Sequence, residues 1–287
     1  MLSIIANAHS GKGVAKKNIK KISEFCLAQN IPYAFHFTER VGHATEIARA
    51  LTGEGGEIAV LGGDGTFHEV LNGIADMERT TLGFIPSGRG NDFVRAAKCS
   101  LDPIQAVKDI LRGEKKRIDY IEVGDKRCLN VAGTGLDIDV LQRVAGKTNK
   151  ISYLVSLVYC LKHFSPYRVA VTVNGETHEY DCVMAGVCNG NAFGGNIRLS
   201  PLSEIDDGKL NVIVMEMPKD GKLMRVLPKF VKGKHMNLPI TKHFICEEVT
   251  VQTQKPVELD GEIYYDLPLH CKVVKGGLTT YKVSGEK

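Results

Sequence analysis

The stretch Glu57-Ile58-Ala59-Val60-Leu61-Gly62-Gly63-Asp64-Gly65-Thr66 decides the fold class of this sequence. Residues 57–61 form the apolar run of a buried strand, and a helical pattern begins at Thr66, with Thr66 and Glu69 at capping-box spacing. The glycines between them let backbone N–H groups approach an anion at the N-terminus of a helix. The stretch therefore predicts a strand, a phosphate-binding turn and a helix, although a tight chain reversal alone would also require glycine.

The same alternation of short apolar runs and helical patterns continues outward over the first 113 residues. It predicts strands at residues 2–6, 33–37, 57–61 and 82–85, and helices at residues 14–29, 43–51, from 66, and 103–112. Strands joined by crossover helices are typical of a parallel sheet. We therefore predict an α/β domain with a parallel sheet over residues 1–114.

From about Lys115 the pattern changes to short alternating runs with turn signals, which favours antiparallel sheet. Predicted hairpins surround Gly124-Asp125, with strands at 117–123 and 127–132, and Asn174-Gly175. Further strands are predicted at residues 183–188, 210–215, 243–251 and 269–274, and a helix at 151–161. Residues 115–287 are thus predicted to be a second domain, whose last residues pack back on the first.

Composition excludes several classes of protein. Apolar residues make up 43% and charged residues 24% of the chain, so it is neither disordered nor fibrous. The eight cysteines show no C-x-x-C pair and are expected to be reduced cytosolic thiols. The most apolar stretch, residues 151–161, is shorter than the roughly 20 residues that span a bilayer. The N-terminus lacks the basic region of a signal peptide.

Two more polar turns follow predicted strands. Residues 7–13 follow the first strand, with Ser10 and Lys12 as candidate anion donors, although Gly13 stands where a P-loop has Ser or Thr. An ordinary capped helix start is the alternative for this turn. Residues 86–93 follow the fourth strand. Because ligands of open α/β sheets bind at the carboxyl ends of the strands, the three turns together predict a ligand site.

Asp64 lies inside the predicted phosphate turn. A carboxylate there would repel phosphate unless a cation lay between them, so the turn implies bound Mg²⁺.

Five segments together resemble the catalytic family of diacylglycerol kinases and sphingosine kinases, and in particular its bacterial soluble lipid kinases. The segments are residues 7–13, 62–73, 88–95, 203–210 and 259–262. The resemblance covers nearly the whole chain. It implies a nucleotide-binding α/β domain, similar to those of NAD kinases and phosphofructokinases, followed by an antiparallel β-sandwich that binds the lipid substrate.

The resemblance also implies roles for individual residues. The implied ATP ligands are Asn7, Ser10, Gly11, Lys12, Thr38, Gly62, Gly63, Asp64, Gly65, Thr66, Glu69, Gly88, Arg89, Asn91 and Asp92. Asp260 would accept the proton of the attacking alcohol, while Asp64 with Glu262 would hold the catalytic Mg²⁺. A structural Mg²⁺ would be bound by the side chain of Asp207 and by the carbonyls of Glu204 and Lys209. Arg89 departs from the family, which has threonine there, and its guanidinium could still bind phosphate.

The expected function is transfer of the γ-phosphate of ATP to a hydroxyl of a membrane lipid, with diacylglycerol as the favoured substrate and phosphatidic acid as product. Two alternatives stay open: a kinase of a soluble metabolite, as in NAD kinases, and a nucleotide- or lipid-binding regulator without turnover. Without the resemblance, Asp260-Gly261-Glu262 would be interpreted as a plain β-turn.

Residues 219–234 hold six Lys or Arg and one acid, interleaved with apolar residues; we call them the basic segment. Such a segment could bind an anionic bilayer, which predicts a cytoplasmic protein at the inner membrane face, or be an ordinary solvated helix face. Pro228 would kink or split that helix. No aromatic stacking platform accompanies the segment, so we expect no nucleic-acid partner. The sequence is also compatible with a homodimer.

Overall fold

The computed structural model of the protein describes residues 1–144, 150–195 and 197–284, and the chain forms two compact units. The first unit contains residues 1–120, 205–208 and 274–287, and the second contains residues 121–204 and 209–273. The chain therefore returns to the first unit twice after leaving it. The division at residue 114 stays a prediction.

The first unit is a parallel sheet with helical crossovers. Its strands are β1 (Leu2–Ala6), β2 (Tyr33–Phe37), β3 (Gly56–Gly62) and β4 (Thr80–Pro86). Its helices are α1 (Val14–Ala28), α2 (His43–Leu51), α3 (Asp64–Gly73), α4 (Asp92–Ala96) and α5 (Pro103–Arg112). The strands lie in the order β4-β3-β1-β2, all parallel, and Thr279 extends the sheet by pairing with Thr81 of β4. The prediction of an α/β fold is confirmed.

Local sequence explains where these elements begin and end. Asp102 caps α5 by accepting a hydrogen bond from Gln105 N at 2.8 Å, Pro103 opens the helix, and Gly113 closes it at φ 74°. The predicted start of α3 at Thr66 is wrong, since the helix begins at Asp64. Glu69 does not cap its own helix, because its carboxylate accepts the N–H of Ala44 at the start of α2.

The second unit is built mainly from antiparallel strands. In chain order the elements are β5 (Lys115–Val123), which begins in the first unit, β6 (Lys126–Cys128), β7 (Val131–Gly135), α6 (Leu136–Val144), α7 (Lys150–His163), β8 (Tyr167–Val173), β9 (Glu176–Cys188), β10 (Leu210–Glu216), α8 (Leu227–Val231), β11 (Thr241–Cys246), β12 (Glu248–Gln252), β13 (Val257–Leu259), β14 (Glu262–Tyr264) and β15 (Leu269–Tyr281), which ends in the first unit.

Strand pairing in this unit runs β14-β13-β7-β9-β8-β12-β15, and β10 joins β9 to β11. Inward-facing Val, Leu and Cys side chains form its core. The predicted antiparallel β-sandwich is confirmed. The hairpin at Asn174-Gly175 is confirmed too, with both residues in the left-handed region at φ 52° and 83°, as a two-residue type I′ turn requires.

Two predicted strands are each divided. The predicted strand at residues 127–132 stops at Cys128 and resumes at Val131, because the N–H groups of Leu129 and Asn130 bind the Asp260 carboxylate. The predicted strand at 243–251 is interrupted at Glu247, where the chain passes from pairing with β10 to pairing with β8 and β15. The helix predicted at 151–161 lies within α7, whereas α6 was not predicted.

Among the residues that the structure describes, no helix combines the length and the apolar character needed to cross a bilayer.

Candidate functional site

The three polar turns of the first unit touch one another through their backbones. A Cβ atom added at Gly11 would lie 2.1 Å from the carbonyl oxygen of Ser87. A Cβ added at Gly88 would lie 2.6 Å from the Cα of Gly63. The turns after β1, β3 and β4 therefore form one continuous backbone surface, which only glycine at these positions permits. Such a surface suits an anion that must approach N–H groups closely.

Two carboxylates lie beside this surface. Asp64 is in the first turn of α3, and its Oδ1 accepts the N–H of Phe93 at 3.3 Å; Asp92 is buried in the first turn of α4. A Cβ added at Gly90 would lie 3.0 Å from Asp92 Oδ2 and 3.1 Å from Asp64 Oδ2, so both carboxylates approach the same backbone position. Carboxylate oxygens are the ligands that Mg²⁺ prefers, and this pair could hold the ion.

A cavity of about 210 Å³ opens next to the turns. It brings together four of the predicted ATP ligands, Asn7, Thr38, Thr66 and Glu69. Asn7 Nδ2 donates to Thr66 Oγ1 at 3.2 Å, which links the turn after β1 to α3. The cavity and the glycine surface are of a kind that could hold a nucleoside and its phosphates.

Other predicted ligands support the turns or lie at their edge. Asn91, left-handed at φ 51°, accepts the Gly88 N–H at 2.9 Å and donates to the Gly88 carbonyl at 3.2 Å, so its amide braces the turn. Lys12 also has left-handed geometry, at φ 53°, and both Lys12 and Arg89 are exposed. Because their side chains are exposed at the edge of the turns, these cations can contact an anion that is bound there.

One residue that sequence analysis missed holds the turn after β4. Asn18 on α1 is buried, and its Nδ2 donates to Ser87 Oγ at 3.0 Å and to the Pro86 carbonyl at 3.3 Å. A polar residue on the apolar stripe of α1 was the available signal.

In the second unit, Asp260 occupies the tip of the hairpin between β13 and β14. Asp260 and Gly261 are left-handed at φ 52° and 90°, so this is a type I′ turn. The turn presents a tightly held side chain. Asp260 Oδ2 accepts Leu129 N at 2.9 Å, and Oδ1 accepts Asn130 N at 2.8 Å and the Cys128 thiol at 3.1 Å.

The second acid that contacts this turn is Glu258, which the sequence analysis did not single out. Glu258 is buried on β13, and its Oε2 accepts the Gly261 N–H at 2.5 Å. Glu262 lies exposed at the start of β14. An acid among the apolar residues of a buried strand was the signal for Glu258.

The loop predicted to bind a structural Mg²⁺ is fixed by another missed acid. Asp119 is buried on β5, and its two oxygens accept the N–H of Gly208 at 2.7 Å and of Gly276 at 2.6 Å. Burial raises the pKa of Asp119, against the opposing effect of these amides. Asp207, beside Gly208, has an exposed side chain.

Within the described residues, no group of three or more His, Cys, Asp or Glu side chains could hold a metal ion. The predicted structural site uses one side chain and two carbonyls, so this finding does not test it.

The chain matches two protein-family models, one for its N-terminal part and one for its C-terminal part. Residues 1–123 match the diacylglycerol kinase catalytic domain, and residues 130–282 match the YegS C-terminal NAD kinase beta sandwich-like domain. The chain is 29% identical to a diacylglycerol kinase of Bacillus subtilis, over 92% of this chain and 90% of that one. It is 26% identical to a diacylglycerol kinase of Staphylococcus carnosus, over 97% and 94% of the two chains.

Solved structures give the same result. A diacylglycerol kinase from Bacillus anthracis superposes with a TM-score of 0.79 at 26% identity, covering 98% of this chain and 96% of that one. An NAD kinase from Archaeoglobus fulgidus, solved with ATP, has a TM-score of 0.53 at 15% identity over 99% of this chain and 94% of that one, which shows a shared fold. With both domain matches and these relatives, the chain belongs to the diacylglycerol kinase family of bacterial lipid kinases and is a phosphotransferase.

Proposed function

We propose that the protein transfers the γ-phosphate of ATP to the free hydroxyl of diacylglycerol, giving phosphatidic acid, with Mg²⁺ as cofactor. The observation that carries the proposal is the surface formed by Gly11, Gly63 and Gly88, flanked by the carboxylates of Asp64 and Asp92. Phosphoryl transfer asks a protein mainly to position the two reactants and to neutralise charge. Main-chain donors beside two acids meet both requirements.

Different residues of the chain would bind the nucleotide, neutralise charge and accept the proton. The glycine surface and the cavity beside Asn7 and Thr38 orient the nucleotide, and Lys12 and Arg89 supply positive charge at its edge. Bound Mg²⁺, held by Asp64 and Asp92, would neutralise phosphate charge. Asp260 accepts the proton of the lipid hydroxyl at its carboxylate, which backbone amides hold in one orientation.

The lipid part of the proposal has support in the second unit. An apolar cavity of about 40 Å³ lies among helices and strands of this unit. Its lining is entirely apolar: Leu136, Leu157, Leu161, Val183, Met184, Met215, Leu223, Val226, Leu227 and Phe230. Methionine side chains repack easily, so the cavity can widen around an acyl chain.

The test is incubation with labelled ATP, Mg²⁺ and a total lipid extract, followed by mass identification of the phosphorylated product. We expect label in phosphatidic acid, and we expect Asp260→Ala to lower the rate by about 10²- to 10⁴-fold while ATP binding survives. Label in an aqueous product would indicate the soluble-metabolite alternative. ATP binding without transfer of label to any acceptor would indicate a regulator.

We further propose that the basic segment binds anionic lipid. Its six cations are all exposed, and Arg225 pairs with Asp220 at 2.9 Å. The segment contains a 3₁₀ turn at Leu223–Arg225 and the short helix α8. Pro228 lies in the first turn of α8. Each Lys or Arg near such a surface contributes about 1 kcal/mol. Exposed Met224 could insert among lipid headgroups.

Vesicle co-sedimentation tests this surface. Lys229→Glu with Lys232→Glu should weaken binding to vesicles containing phosphatidylserine by about 10-fold or more, and added salt should do the same. The matched control is Lys16→Glu with Lys17→Glu, which reverses two charges that are exposed on α1 and should leave binding to vesicles unchanged. Equal loss in both double variants, or equal binding to neutral phosphatidylcholine, would contradict the proposal.

A further inference from the structure

The carboxylate of Asp260 fills the gap between β6 and β7. Leu129 and Asn130, which interrupt these strands, turn their N–H groups toward its oxygens at 2.9 Å and 2.8 Å. Val131 N approaches Oδ1 at 3.4 Å. The interruption of the strands therefore forms a backbone cradle for one side chain from a distant part of the chain.

Cys128 adds a side-chain donor to these main-chain contacts. It is fully buried, and its sulfur lies 3.1 Å from Asp260 Oδ1. Burial, reinforced by the negative charge of Asp260, raises the pKa of this thiol well above its ordinary value. The thiol is therefore protonated at neutral pH and donates its hydrogen to the carboxylate.

The geometry indicates that the thiol helps to fix the orientation of the Asp260 carboxylate. Asp260 is left-handed and followed by Gly261, whose added Cβ would meet nothing within 4 Å, so the turn is open at Gly261. The orientation of the carboxylate depends on hydrogen bonds to its two oxygens. Leu129 N holds Oδ2, while Asn130 N and the Cys128 thiol hold Oδ1. Loss of the thiol would leave Oδ1 with main-chain donors alone and would loosen the orientation of the carboxylate.

We propose that Cys128 is a positioning residue for Asp260, an inference that rests on the proposed role of Asp260 as proton acceptor. The thiol holds Oδ1 so that the carboxylate keeps one orientation toward the lipid hydroxyl. Because the thiol is fully buried, it would act only through Asp260. Its contribution should therefore appear in the rate of phosphoryl transfer and not in the affinity for either substrate.

Steady-state kinetics of three cysteine variants test the proposal. Cys128→Ala should lower kcat about 3- to 10-fold, the value of one modest hydrogen bond, with unchanged KM for ATP and for diacylglycerol. Cys128→Ser keeps a donor and should restore kcat to within about 2-fold of the wild type. Cys271→Ala removes a fully buried thiol from the same core and should leave kcat unchanged.

Equal losses in Cys128→Ala and Cys271→Ala, or no rescue by Cys128→Ser, would overturn the proposal. A measurement independent of activity is the infrared S–H stretching band of Cys128, isolated as the difference between wild type and Cys128→Ala. This band should move toward the position of a free thiol in Asp260→Ala, and an unmoved band also overturns the proposal.

The same experiments separate this inference from the proposed function. If Asp260→Ala keeps its turnover, the assignment of Asp260 as proton acceptor fails, and the positioning role fails with it. If Asp260→Ala is inactive but Cys128→Ala has normal kcat, only the positioning role fails.

Discussion

The turns that carry Asp64 and Asp260 are formed in different ways. Around Asp64, three glycine turns touch through their backbones, and the surface exists because side chains are absent. Around Asp260, a single two-residue hairpin is held by hydrogen bonds that converge on one carboxylate. The first turn should thus be sensitive to added volume, and the second to the loss of a donor or of the acid itself.

The largest expected effect distinguishes the role of Asp64 from that of Asp260. Asp64→Asn and Asp260→Asn should each lower kcat by about 10²- to 10⁴-fold. If Asp64 holds Mg²⁺, raising the Mg²⁺ concentration should recover part of the activity of Asp64→Asn and none of that of Asp260→Asn. A titration of initial rate against Mg²⁺ measures this, and identical responses of the two variants would remove the distinction.

A second effect concerns volume in the glycine turns. Gly11→Ala places a Cβ 2.1 Å from the Ser87 carbonyl at a φ of 65°, and should destabilise the protein by about 2–4 kcal/mol and abolish ATP binding. Gly13→Ala is the control, because its φ of 93° is also positive but its Cβ would meet nothing within 4 Å.

Strain alone should cost Gly13→Ala about 1 kcal/mol. Denaturant unfolding and ATP titration of both variants measure the difference. Equal destabilisation would show that backbone conformation, and not close approach of the turns, makes glycine necessary.

The smallest effect sharpens the description of the second unit. His235 is fully buried there, its Nε2 lies 2.8 Å from the Leu199 carbonyl, and burial lowers its pKa below 6.5. The unfolded chain therefore binds more protons than the folded one once the pH falls below about 6.5. Stability should decrease from there downward, by at most about 1.4 kcal/mol per pH unit from this group.

Thermal unfolding between pH 7.5 and 5.5 measures that decrease. His235→Gln keeps a donor for Leu199 and should have a flatter profile. The pKa of His243 is also lowered by burial, so some pH dependence will remain in the variant. An unchanged slope in His235→Gln would exclude His235 as its source.

Sequence patterns predicted what depends on local chemistry. The apolar runs before Gly62 and Pro86, the caps at Asp102 and Gly113, and the type I′ turn at Asn174-Gly175 all require only nearby residues. The resemblance to lipid kinases added Asp260, which a turn propensity alone could not distinguish from a plain β-turn.

The supporting residues could not be predicted, because their partners are distant in the chain. Asn18 holds a loop 69 residues away, Asp119 a glycine 157 residues away, and Cys128 an acid 132 residues away. A periodicity analysis assigns each of them to a helix or strand and gives no partner. The error at Glu69 has the same origin, since its carboxylate caps α2 and not its own helix.

The return of the chain to the first unit at residue 274 has a consequence for biosynthesis. Thr279 pairs with Thr81, Thr280 Oγ1 donates to the Leu82 carbonyl at 2.7 Å, and Tyr281 is buried in the same core as Ile4 and Leu61. These residues follow those of the second unit in the chain. The first unit can therefore be completed only after the second unit has been synthesised, so a product that is terminated within the second unit lacks this strand of the first.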